Sequence, residues 1–131
     1  METETTFLNR LQYDLFWIAL RTDGIIKVQL KGNDEVDVDQ IKNIVEAIKL
    51  IGAGNIHPIL IVAGEFTLPS HAARAYLATA ESDPYASAEA YVIRSFPQKL
   101  VGNFYLSFNK PARPTRIFTS EDKAIDWLKS F

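Results

Sequence analysis

The stretch HPILIVAGEFTLPSHAAR, residues 57–74, passes from an apolar run straight into a cluster of polar side chains. Ile59 to Ala63 is interrupted by no charge, the pattern of a short strand buried on both faces, and such strands belong to parallel sheets covered by helices. Pro58 stands at its start, where a missing N–H is tolerated. Glu65, Thr67, Ser70, His71 and Arg74 follow, after which Ala73, Tyr76, Leu77 and Ala80 recur at helical spacing. A central strand handing over to a helix predicts an α/β fold.

Upstream, Asp37 is placed to cap a helix, with Gln40 three residues on in the capping-box position. Ile41, Ile44, Val45, Ile48 and Ile51 give it one apolar stripe, and Gly52 and Gly54 end it. Before it, Asp23-Gly24 supplies the turn of a hairpin. The second arm alternates cleanly through Ile26, Val28 and Leu30. The first does not, for Phe16, Ile18 and Leu20 lie on one side while Leu15, Trp17 and Ala19 lie on the other.

Downstream, AEAYVIRS reads as a strand. Ser95 caps a third helix with Gln98 in the box position, and Val101, Phe104, Tyr105 and Phe108 are its expected core face. NKPARP is a rigid turn, TRIF a last strand, and Thr119 or Ser120 caps a final helix through Ala124, Trp127, Leu128 and Phe131. The predicted order is ββαβαβαβα: a mixed sheet of about five strands, helices mainly on one face, in a single domain over residues 1–131 with 1–6 as a flexible tail.

With 131 residues the chain buries roughly two-thirds of its unfolded surface. A net charge of −2 with no basic block argues against nucleic acid as a partner. The absence of cysteine excludes disulfides, thiolate catalysis and thiolate metal sites. The opening METETT lacks the basic-then-apolar pattern of a signal peptide, and the longest apolar runs fall far short of the ~20 residues of a membrane span. These features predict a cytoplasmic chain with no cofactor.

The segments AEAYVIRS (88–95), QKLVGNFYLSFNKPARP (98–114) and TRIFTSEDKAIDWL (115–128) resemble the SpoIIAA-like, STAS-related family of small bacterial proteins. The likeness is close over the last third of the chain and follows the order of elements from residue 20 onward. It implies a STAS-like sheet. In STAS domains that antagonise anti-sigma factors, a serine after the central strand is the regulatory phosphorylation site, usually within Asp-Ser-Ser-Gly. Here Glu65-Phe66-Thr67-Leu68-Pro69-Ser70 stands in that place, so the resemblance makes Ser70 or Thr67 the candidate phosphoacceptor. Some relatives carry names suggesting lipid-carrier kinship.

At the carboxyl ends of the parallel strands, where ligands gather in open α/β sheets, the sequence collects Glu65, Thr67, Ser70, His71 and Arg74, then Arg94 and Ser95, then Thr119. This edge is the candidate ligand or partner surface, and each hydroxyl on it serves equally as a helix cap. Catalysis is not expected. His71 points some 100° around the helix from Ser70, no GxSxG elbow exists, and the two histidines lack any metal-ligand spacing. The first hairpin strand, apolar on both faces, predicts a homodimer with Leu15 or Trp17 near the contact, unless residues 1–10 or a helix fold back over that face. The function implied is a regulatory or protein-interaction module. The alternative is a carrier or sensor of a small apolar or anionic ligand such as a lipid or nucleotide.

Overall fold

A computed structural model describes residues 7–32 and 35–131; the tail expected over 1–6 lies outside the described residues. Six strands form one sheet: β1 (Phe7–Gln12), β2 (Phe16–Arg21), β3 (Ile26–Leu30), β5 (His57–Val62), β7 (Ala86–Val92) and β8 (Thr115–Phe118). They lie side by side in that order, β1 to β3 antiparallel and β3 to β8 parallel. Two short strands, β4 (Glu35–Val36) and β6 (Leu68–Pro69), pair in parallel outside it. The helices are α1 (Val38–Ile51), α2 (His71–Leu77), α3 (Phe96–Phe104) and α4 (Glu121–Leu128).

The strand order accounts for the layering. Each parallel strand joins the same growing edge, and right-handed crossovers then put every connecting helix on the same face. The connecting helices α1, α2 and α3 do share one face, where Ile41, Ile48, Ala73 and Leu77 pack with Tyr105, the residue just past α3. The helix α4 follows the last strand, is no crossover, and covers the opposite face with Ala124 and Leu128. The central run behaves as its sequence requires. Ile59 faces the α1 side and Leu60 the α4 side, and neither is exposed.

The sheet has six strands where about five were expected. FLNRLQ escapes a period-2 reading because only Leu11 packs against the core cluster. Main-chain pairing to β2 orders the rest, across a bulge between Phe7 and Asn9. The hairpin strand therefore has no open edge. Trp17 on the neighbouring β2 meets side chains of β1, its ring 4.1 Å from the Arg10 guanidinium and edge-on to Phe7 at 6.1 Å.

Two further expectations are corrected. Ala80 belongs to a separate 3-10 turn (Ala80–Ser82) and is exposed, because α2 ends at Leu77. The core face of α3 does not include Phe104 or Phe108. After Phe104 the chain widens into a π-helical turn, Tyr105–Asn109, which sends Tyr105 inward and leaves Phe104 and Phe108 exposed and stacked at 4.4 Å.

Candidate functional site

The polar stretch after β5 is held from beneath by Gln98. Its amide nitrogen donates to the carbonyls of Gly64 (2.8 Å), Thr67 (2.9 Å) and Glu65 (3.3 Å), while its oxygen accepts from the Arg94 N–H at 2.7 Å. A capping-box side chain would have turned back to Ser95; this one reaches across to another crossover. Gly64 is required there, since a Cβ would meet the Thr67 hydroxyl at 2.6 Å and the Gly32 carbonyl at 2.7 Å. Gln98→Ala strands several buried carbonyls and should cost about 2 kcal/mol in urea unfolding. A loss below about 0.5 kcal/mol would mean the loop holds itself.

Ser70 caps α2, accepting from the Ala73 N–H at 3.0 Å, and its hydroxyl donates to the Asp37 carboxylate at 2.7 Å. Asp37 caps α1 in the expected box with Gln40, so the β4–β6 pair brings two helix starts into one clasp. The Ser70 hydroxyl and then the Val38 N–H hold the Asp37 carboxyl below its ordinary range. Thr67 is buried, its hydroxyl 3.4 Å from the Gly32 carbonyl. Glu65, His71, Arg94 and Thr119 are exposed. Ser95 caps α3, and Ser120, rather than Thr119, caps α4. The three serine hydroxyls thus open three different helices. Arg74 turns inward, giving a hydrogen bond to the Pro69 carbonyl at 3.0 Å with its guanidinium 5.6 Å from the Phe104 ring. Leu15 is exposed, whereas Trp17 is half-buried.

Between the sheet and α1–α3 lies a cavity of about 130 Å³. Its wall is mostly aliphatic, from Ile44, Ile48, Ile61 and Val101, but Arg74, Tyr105, Tyr91, Glu89 and Asp83 also line it. Behind the last of these sits Arg113, buried like Asp83 and Glu89. The Arg113 guanidinium lies 3.5 Å from the Glu89 carboxyl and donates to the carbonyls of Leu77 and Thr79 and to the Ser82 hydroxyl. The Tyr91 hydroxyl donates to Glu89 at 2.9 Å. Burial pushes Glu89 up to about 7; Arg113 opposes this and Asp83 adds to it. Burial likewise raises Asp83, Tyr91 and Tyr105. One proton shared by the two acids leaves the trio neutral, the inexpensive state for buried charge. Sequence reading passed over this cluster. Its one signal was Glu89 itself, a charge in a strand of small and apolar residues.

On the outside of α3 and of the π-helical turn that continues it, Phe96, Leu100, Phe104 and Phe108 follow one another every four residues and are 69%, 55%, 43% and 72% exposed. Four-residue steps lie along one helical face. Phe66, on the loop held by Gln98, is 59% exposed.

The chain is similar in structure to an uncharacterized protein of the DUF3478 family from Shewanella loihica PV-4, solved as a crystal structure and described as having a SpoIIAA-like fold. The TM-score is 0.57 at 16% identity, over 90% of this chain and 98% of that one. The fold is therefore SpoIIAA-like, as the C-terminal segments implied. No curated protein matches the sequence. No helix among the described residues is long and apolar enough to cross a membrane. Residues 16–131 match the model of a domain of unknown function, DUF7793, and the chain belongs to that family.

Proposed function

We propose that the protein is a non-catalytic regulatory module of the cytoplasm that docks a protein partner through the outward face of α3. The observation that carries this reading is the row Phe96, Leu100, Phe104 and Phe108, an apolar surface of the kind that monomers seldom leave uncovered. From Ala90 to Ser120 the chain carries no acid, and Arg94, Lys99 and Lys110 are exposed cations within it. The complementary partner is an amphipathic segment with apolar anchors and an acidic rim. The Ser70 hydroxyl donates to Asp37 rather than to His71, which supports a structural serine over a nucleophile. Phosphate on Ser70 would set a dianion against the Asp37 carboxylate and open the β4–β6 clasp, the form regulation takes in this reading.

Leu100→Ser with Phe108→Ser, both on exposed positions, should leave stability within about 0.5 kcal/mol and abolish capture of the partner from host lysate. Undiminished capture overturns the assignment. Binding of the wild type to anionic vesicles in place of a protein would give the face to a membrane surface instead. A homodimer is a second reading, favoured by Leu15 at 43% exposure. Light scattering should show a dimer that Leu15→Lys splits; a wild-type monomer at micromolar concentration rejects it.

A further inference from the structure

The cavity beneath α1–α3 holds two polar atoms that the fold leaves unanswered. The Tyr105 hydroxyl and the Arg74 Nε are both buried and neither has a hydrogen-bond partner. Tyr105 is only 5% exposed, so water does not answer it from outside. Both groups are donors: a guanidinium nitrogen cannot accept, and burial keeps the Tyr105 phenol protonated. Arg74 forms no ion pair among the described residues, although it lines a mostly aliphatic wall whose acids, Asp83 and Glu89, are grouped with Arg113. Native interiors rarely leave one such donor unmatched, and here two belong to residues that line the same cavity.

We propose that this cavity binds a small monocarboxylate whose apolar body is about the size of one ring. Its carboxylate accepts from the Arg74 guanidinium and the Tyr105 hydroxyl, and its body lies against Ile44, Ile48, Ile61 and Val101. Charge selects the head group, because a guanidinium matches a carboxylate better than any neutral acceptor. Volume selects the body. About 130 Å³ is close to the roughly 150 Å³ of an apolar cavity that accepts benzene, and a long acyl chain does not fit. The neighbouring trio of Arg113, Asp83 and Glu89 does not repel the carboxylate while one proton keeps it neutral.

The test is titration of the full chain with benzoate, hexanoate and benzyl alcohol, followed by amide chemical shifts. Benzoate and hexanoate should give saturable shifts at residues around the cavity, and benzyl alcohol should bind at least about tenfold more weakly. Arg74→Gln should weaken benzoate by about tenfold or more and leave benzyl alcohol unchanged, Arg74→Lys should retain most of the affinity, and Tyr105→Phe should lose a several-fold share. The free variants' spectra show whether each is folded. Equal affinity for the acids and the alcohol, indifference of benzoate to Arg74→Gln in a folded variant, or no saturable binding at millimolar acid overturns the proposal.

Discussion

Arg113→Met should destabilise the protein by about 3–5 kcal/mol, the range found when one partner of a buried ion pair is removed. The cost comes less from the lost attraction than from what stays behind. Asp83 and Glu89 are 3% and 2% exposed, and among the described residues Arg113 is the cation that pairs with Glu89. The carbonyls of Leu77 and Thr79 and the Ser82 hydroxyl also lose their donor, which loosens the segment leading from α2 to β7. On a domain of this size that loss is a fall of roughly 10–20 °C in melting temperature. Adding Glu89→Gln to Arg113→Met should restore part of it, because one buried carboxylate fewer needs compensation. A single-variant loss under about 1 kcal/mol would mean that water reaches the cluster.

Stability should also fall as pH rises from 5.5 to 8. Burial lifts Glu89 to about 7 in the folded chain, against an ordinary value of 4.5 when unfolded. Between those values the native state holds the extra proton, so the contribution is complete below 4.5 and lost as pH climbs through 7. Asp83 is raised in the same sense. Integrated over the interval from 5.5 to 8, the effect is about 2 kcal/mol of unfolding free energy. Asp37, held low by Ser70, and Asp23, where burial is outweighed by Arg21, the Ile25 N–H and Lys129 together, act in the opposite direction but only at more acid pH. Urea melts at the two pH values measure the difference, and Glu89→Gln should flatten it. A wild type equally stable at both would place Glu89 among ordinary carboxylates.

The parts of the fold legible in the sequence were those decided by local rules. The charge-free run Ile59–Ala63, the Asp37/Gln40 box, the Ser95 cap and the Asp23-Gly24 turn each state their role within a few residues. Strand β1 was hidden because main-chain bonding to β2 needs no alternation. The face of α3 was misassigned for a different reason. Val101 and Tyr105 form one apolar row, Phe104 and Phe108 the next, and periodicity cannot choose the inward row when both are apolar. At the site, the caps Ser70 and Ser95 were readable, but the Ser70–Asp37 clasp depends on β4 meeting β6 across a crossover. Arg113 was read as part of a rigid turn, and nothing local to NKPARP announces a cation that must answer Glu89 in another strand.

In the sheet, the order of the strands in space is also their order along the chain, from β1 to β8. No strand has to be threaded between two that are already paired. The β1–β2–β3 meander closes through short turns, so its pairings form quickly, whereas each parallel pairing waits for a helix and pays for a longer loop. As the chain emerges from the ribosome, every new strand meets a template whose far side is complete and whose near side is open. Assembly is accretion at one edge. The docking of β5 onto β3 is the first of these additions, and it turns the meander into a sheet with a core.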